Sequence, residues 1–113
     1  MSAIDTTVFN ELREATGEDF VRELVQTFLD EAPTLLAALR AAIAPGDATA
    51  FRRAAHSLKS NGNTFGATAL AAQARDIEHV GLQGLGEGAA ARVTALEAAY
   101  ADAARELAEV ARG

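Results

Sequence analysis

One pair of side chains has a spacing that suits phosphoryl chemistry: His56 and, three residues later, Lys59. Residues at this spacing are neighbours on the surface of a helix. A neutral imidazole can attack phosphorus. A nearby ammonium disfavours a second positive charge on the ring and can donate a charge-assisted hydrogen bond to phosphoryl oxygens. An ordinary solvated pair has the same spacing, so the pair alone leaves both interpretations open.

A helical wheel places this pair on an exposed face. At about 100° per residue, one side of the helix carries polar residues: Arg52, His56, Lys59 and Asn63, with Ser60 at its edge. The other side carries apolar or small residues: Phe51, Ala55, Leu58 and Gly62, with Ala54 and Phe65 beside them. We therefore expect the imidazole to be open to a docking protein. The small residues Ser60, Gly62 and Gly66 would let that protein approach closely.

Other chemistries find less support in the sequence. His79 is expected near the end of a helix, where a cation suits the helix dipole. A zinc site made from His56 and His79 matches no established ligand spacing. No Ser, Cys or carboxylate is placed to complete a nucleophilic set around His56 as a general base. The glycines between 81 and 88 lack the Lys-Ser/Thr ending and the preceding strand of a nucleotide loop.

The pattern of apolar and turn residues predicts helices throughout. The first helix is expected from about Thr6 to Ala15, with Asp5 or Thr6 as its N-cap. Gly17 ends this helix. Thr16 and Asp19 have the spacing of a capping box for a second, long helix. That helix has apolar residues every three or four positions: Val21, Leu24, Phe28, Ala32, Leu35, Leu39 and Ile43.

Proline and glycine divide the rest of the chain. Pro33 should bend or briefly interrupt the second helix, which stops at Pro45-Gly46. Asp47 can cap a third helix reaching about Asn63, and a fourth is expected over about 67–80. Four glycines between 81 and 88 predict a flexible linker, and the last helix covers about 89–111. The predicted fold class is all-α: an antiparallel four-helix bundle in one domain, 1–113, with a short N-terminal helix covering one end.

Composition narrows the possible functions. Sixteen acidic residues against ten basic ones give a net charge of -6, which disfavours nucleic-acid binding. No apolar run is long enough for a membrane span, and there is neither a cysteine nor a signal-peptide pattern at the N-terminus, so a cytoplasmic location is expected. Phe9, Phe20 and Phe28 are expected in the core, although an exposed Phe20 or Leu24 could serve docking.

The segment around His56 resembles a known signature. In histidine-containing phosphotransfer (HPt) domains the histidine is followed by Leu, Lys and a small residue at the second to fourth positions, and by Gly-Ala at the tenth and eleventh. This chain has Leu58, Lys59, Ser60 and Gly66-Ala67 there. The likeness continues through the Gly46-Asp47 turn upstream, and through Leu70 and Ile77-Glu78 downstream. Similarity in helix number and order covers about residues 4–111.

The resemblance implies roles for individual residues. His56 would be the phosphoacceptor, Lys59 the cation that stabilises the phosphoryl group, and Gly66 the residue that lets the next helix pack closely. Ser60 stands in place of a frequent glycine. Gln73 stands where many members have cysteine or another residue, and could either reach the third helix or serve packing.

The resemblance also implies a phosphorelay carrier without kinase activity or a cofactor of its own. Its partners would be response-regulator receiver domains or a hybrid histidine kinase. Because the chain shows no acidic cluster suited to Mg²⁺, the receiver is expected to supply that ion. A monomer is expected. A helical interaction module that binds receivers or kinases without accepting phosphate is the alternative, and the identity of the partners and the direction of flow stay open.

Overall fold

Five α-helices follow one another along the part of the chain that the structure describes, residues 3–112 without the side chains of 111 and 112. In this computed structural model they are α1 Thr6–Thr16, α2 Glu18–Ile43, α3 Ala48–Phe65, α4 Thr68–Leu85 and α5 Ala89–Arg112, with a single 3₁₀ turn at Gly86–Gly88. Among the described residues, no helix combines the length and apolar character needed to cross a membrane.

The four long helices form an antiparallel bundle. α2 packs against α3 and α5, and α4 packs against the same two helices, so that α3 and α5 lie on opposite sides of the bundle. Short connections reverse the chain between successive helices, as in other bundles of this kind. The short α1 contacts α2 and α3. The prediction of an all-α four-helix bundle with an extra N-terminal helix is confirmed.

The core is built from aliphatic and aromatic side chains of the four long helices. Its largest fully buried members are Phe51, Leu39, Leu58, Leu70, Ile77, Leu96, Leu107, Val21, Val25 and Val93. Each such side chain stabilises the fold by roughly 1.5–3 kcal/mol through burial of apolar surface. The ring of Phe28 stacks on Phe65 at 5.1 Å and meets Tyr100 edge-on at 5.7 Å, which ties α2 to α3 and α5.

α3 is the rod that presents His56, and both of its ends are capped. The carboxylate of Asp47 accepts a hydrogen bond from the amide of Ala50 at 3.1 Å, as the sequence predicts. At the other end Gly66 has φ +75°, a left-handed conformation that suits glycine, and its amide and that of Ala67 bind the last carbonyls of the helix. The helix extends to Phe65, two residues beyond the predicted end.

Gly62 has an internal role that differs from the expected one. It is buried, and a methyl group in its place would stand 3.1 Å from both the Cβ and the backbone nitrogen of Ala71 on α4. The missing side chain therefore lets α3 and α4 approach each other. Gly62 is unavailable to a docking protein, so the prediction that it opens the surface to one is wrong.

Gly66 is also buried, and the N-cap and first turn of α1 cover it. The amide of Asp5 donates a 2.7 Å hydrogen bond to the Gly66 carbonyl. A methyl group at Gly66 would lie 2.8 Å from the Asp5 carbonyl oxygen and 3.1 Å from the Cβ of Val8. The close approach expected at Gly66 exists, but the N-terminal segment makes the nearest contacts rather than the next helix, α4, and a docking protein cannot reach the site.

Three local expectations about α1 and α2 need correction. The capping box at Thr16 and Asp19 does not form: the Thr16 hydroxyl donates to the Leu12 carbonyl of its own helix at 2.8 Å, and Gly17, with no side-chain cap, precedes α2. Of the two effects expected of Pro33, a bend or an interruption, the interruption does not occur, because α2 and its buried face continue on both sides of the proline. Phe20 is 50% exposed, so its placement in the core is wrong, whereas Phe9 and Phe28 are buried as predicted.

The glycine-rich segment is more ordered than predicted. Helical structure continues to Leu85, with one break at Gly81, where φ is 79° and ψ 163°. The side chain of Leu82 is buried in the core, and that of Leu85 packs against it half-buried. This burial holds a helical turn that the glycines on their own would not favour, so the segment is a structured corner between α4 and α5.

Alanine substitutions at two glycines can separate backbone strain from steric collision. Gly46 and Gly66 have nearly equal φ values, +72° and +75°, but a methyl group at Gly46 would meet nothing within 4 Å. Gly46→Ala should cost about 1–2 kcal/mol of unfolding free energy from the left-handed conformation. Gly66→Ala should cost about 1–3 kcal/mol more because of the collision with Asp5. Urea denaturation of both variants measures the two losses of unfolding free energy. Equal losses would contradict the close contact of Asp5 and Val8 with Gly66.

Candidate functional site

His56 lies in the middle of α3 with 58% of its side chain exposed. Ala55 and Leu58, its neighbours on the same helix, are fully buried in the bundle. The backbone below the imidazole is therefore fixed by core packing while the ring stands in solvent. The exposure predicted from the helical wheel is confirmed.

A carboxylate from α4 holds both the imidazole and the neighbouring ammonium. One oxygen of Glu78 lies 2.7 Å from His56 Nδ1, and its other oxygen lies 2.7 Å from Lys59 Nζ. Glu78 is more enclosed than either partner, with 20% of its side chain exposed against 26% for Lys59. The expected pair is thus a triad, in which the charge of Lys59 is matched by that of Glu78.

This contact determines which ring nitrogen of His56 can react. A carboxylate only accepts hydrogen bonds, so the Nδ1 of a neutral His56 must carry the hydrogen that Glu78 receives. The lone pair is then on Nε2, at the other side of the ring. A fixed tautomer on an exposed ring is what a histidine nucleophile requires.

The electrostatics of the triad favour an ionised Glu78. The hydrogen bond from the Lys59 ammonium, with a further contribution from His56, lowers the pKa of Glu78 from its ordinary value, and partial burial opposes this only in part. Glu78 consequently stays negatively charged beside the imidazole at neutral pH. A permanent negative charge at that position can stabilise positive charge that develops on the ring during a reaction.

Sequence reasoning missed Glu78 as the partner of His56 and Lys59. It appears in the sequence only as part of the Ile77-Glu78 likeness, 22 positions after His56. Spacing along one helix cannot find such a partner, because the contact depends on how α3 and α4 pack. The only indication of Glu78 was its position next to Ile77. Because Ile77 is fully buried, the following residue, Glu78, lies at the edge of the face that α4 turns to the bundle.

The structure distributes the remaining predicted residues over different surfaces. Arg52 is exposed on α3 one turn before His56. Ser60 lines, with His56, a groove between α2 and α3. Asn63 lines a separate depression with Lys59 and Arg75, on the side of α4. Gln73 is half-buried and lines a depression between α4 and α5, a position that agrees with the packing role rather than with a reach towards the third helix.

His79 lies away from His56, in a depression with Arg75 and Arg92. Within residues 3–112, His, Cys, Asp and Glu side chains do not gather in groups of three or more that could hold a metal ion.

Removing the charge of Lys59 tests the pKa of Glu78. In the folded protein this pKa lies below that of the unfolded chain, so the ion pair stabilises the fold above the unfolded-state value and the contribution is lost as the pH falls through the folded-state value. In Lys59→Met the Glu78 pKa should rise towards its ordinary range. Carboxyl ¹³C chemical shifts followed against pH measure it. Glu97, whose pKa is lowered by Arg40 elsewhere in the bundle, is the internal control and should not move.

Comparison with known proteins agrees with this geometry. The crystal structure of histidine-containing phosphotransfer protein B from Pseudomonas aeruginosa PAO1 matches the chain with a TM-score of 0.89 and 29% sequence identity, over 96% of this chain and 94% of that one. No curated protein sequence matches. A sequence profile described as the Hpt domain matches residues 23–110, a segment that contains the whole triad. Since that profile spans well over half of the sequence, the chain belongs to the histidine-containing phosphotransfer domain family.

Proposed function

We propose that this protein accepts a phosphoryl group on His56 Nε2 from the phosphorylated aspartate of a receiver domain and passes it to the aspartate of another receiver. The observation that carries the proposal is the exposed imidazole whose Nδ1 is held by Glu78 at 2.7 Å. Membership of the HPt family supports the role of a phosphohistidine carrier.

The forward step follows from the tautomer. The Nε2 lone pair attacks phosphorus in line, an N–P bond forms, and the bond from phosphorus to the aspartyl oxygen breaks, so that the aspartate leaves as a carboxylate. The ring then carries phosphorus on Nε2 and hydrogen on Nδ1, which gives it positive charge. The Glu78 carboxylate lies beside Nδ1 and stabilises this charge. Transfer to the next aspartate reverses the same bonds.

Lys59 acts on the phosphoryl group in this scheme. Its ammonium has three hydrogen-bond donors, and Glu78 occupies one of them at 2.7 Å. The others can point to phosphoryl oxygens on the neighbouring imidazole, since the two side chains lie one turn apart on α3. The contact with Glu78 restrains the flexible lysine side chain close to the site before the phosphoryl group arrives, which lowers the entropy cost of using it.

The relay role also specifies what the protein does not do alone. It is a carrier without kinase activity, and the Mg²⁺ that phosphoryl transfer requires is supplied by the receiver domain. Receivers, with or without a hybrid kinase, dock on a modest surface and leave after each transfer, because tight binding would slow the relay. A monomer working in the cytoplasm completes the proposal.

Replacing the nucleophile should abolish phosphoryl acceptance. His56→Gln keeps a polar side chain of similar length at an exposed position, so the helical circular dichroism should be unchanged while labelling from an acetyl-phosphate-loaded receiver is lost. In the wild type, acid-labile and base-stable phosphate should map to His56 alone. Normal labelling of the variant would refute the assignment, and binding of receivers without any labelling of the wild type would favour the pure interaction module.

Removing the cation should slow transfer without preventing it. A hydrogen bond to a charged group contributes about 1.5–3 kcal/mol, so Lys59→Ala should lower the transfer rate, or the phosphohistidine lifetime, by roughly 10- to 100-fold. Arg105→Ala is the control, because Arg105 is an exposed cation on α5, on the side of the bundle opposite to α3. Quenched-flow transfer from a phosphorylated receiver measures the rate. Equal effects of the two substitutions would show that general charge, rather than contact with the phosphoryl group, is responsible.

A further inference from the structure

The groove beside His56 is acidic on its far wall. It has a volume of about 560 Å³ and runs between α2 and α3. His56, Ser60 and Asn61 line it from α3, while Asp30 and Glu31 line it from α2. The reactive imidazole and the two carboxylates therefore belong to one continuous surface.

Neither carboxylate of the groove is neutralised by the rest of the described structure. Asp30 accepts a hydrogen bond from the uncharged Gln26 amide at 3.0 Å, and neither Asp30 nor Glu31 forms an ion pair within residues 3–112. Both residues are exposed. The wall can therefore receive a cationic side chain from outside.

The opposite flank of His56 carries the opposite charge. Lys59 and Arg75 line one depression on the side of α4, and Arg75 continues into a second depression with His79 and Arg92. Arg75 is 70% exposed, and its contact with Asp76 is a loose 4.0 Å. Glu78 matches the charge of Lys59, and Asp76 also lines the second depression, so Arg75 and Arg92 leave this flank with a small excess of positive charge in a chain of net charge -6.

A docked protein would cover both flanks at once. A standard interface buries about 800 Å² on each partner, a patch of roughly 30 Å across. The bundle measures 24 × 20 Å across its long axis. A partner centred on His56 must therefore contact both Asp30 and Glu31 on α2 and Arg75 on α4. Its charges must be complementary to both sets.

We propose that charge sets the orientation and the choice of the receiver: a basic side chain of the receiver enters the groove beside Asp30 and Glu31, and an acidic side chain of the same receiver faces Arg75. This inference rests on the proposed phosphorelay function and adds to it a selection rule. A receiver with the reversed polarity, or docked the other way round, meets like charges on both flanks.

The test is phosphoryl transfer from a panel of receiver domains of the source organism, each loaded with acetyl phosphate and Mg²⁺. For the receiver that labels His56 fastest, the double variant Asp30→Asn/Glu31→Gln should lower kcat/KM by roughly 3- to 20-fold at low ionic strength, and Arg75→Gln by roughly 2- to 5-fold. At about 1 M salt, where the Debye length is about 3 Å, both losses should largely disappear. The rate at saturating receiver should be unchanged.

Matched controls lie on the helix opposite α3. The double variant Asp102→Asn/Glu109→Gln and the single variant Arg105→Gln make the same changes of charge on α5, and each should alter kcat/KM by less than about 2-fold. Equal losses in these controls would assign the effect to net charge and overturn the proposal. Undiminished kcat/KM in the groove and Arg75 variants, with His56 still labelled, would overturn it and leave the phosphorelay function standing. Failure of every receiver to label wild-type His56 would remove both.

Discussion

The bridge from Glu78 to His56 and Lys59 is the interaction on which the site depends. It joins α4 to α3 through two contacts of 2.7 Å on one carboxylate, and these contacts require the two helix axes to lie close together. Gly62 makes that separation possible because it offers no side chain to the backbone of Ala71. A residue inside the bundle thus sets the geometry of groups that work at its surface.

Core packing and surface chemistry alternate along α3 with the helical period. Ala55 and Leu58 are fully buried, whereas His56 between them in sequence is largely exposed. The imidazole of His56 therefore needs no loop or lid to hold it, since the burial of its neighbours fixes its backbone. This arrangement explains how the ring can be rigid and accessible together, which the proposed transfer between two receiver domains requires.

The sequence was enough to predict features that depend on one helix alone, such as its exposed face and its N-cap. It was not enough to predict contacts between two helices. The period of α3 predicted which side of it faces water, and the capping role of Asp47 followed from its position alone. Glu78 could not be found in this way, because its partners lie on another helix. Gly62 and Gly66 were recognised as sites of close approach, but the chain's own α4 and α1 occupy them. At Thr16, a hydroxyl that can bond back to Leu12 satisfied its own helix instead of capping the next one.

The attachment of α1 has a consequence for how far the working unit extends. The family profile begins at residue 23, inside α2, so α1 lies wholly outside the matched segment. Yet Asp5 binds the carbonyl of Gly66 at 2.7 Å, at the turn where the histidine-bearing helix ends. The buried Phe9 anchors the same short helix in the core. A protein trimmed to the boundaries of the shared family pattern would leave that carbonyl facing water and expose the apolar surface that Phe9 covers, so Asp5 and α1 are part of the scaffold that holds the end of α3.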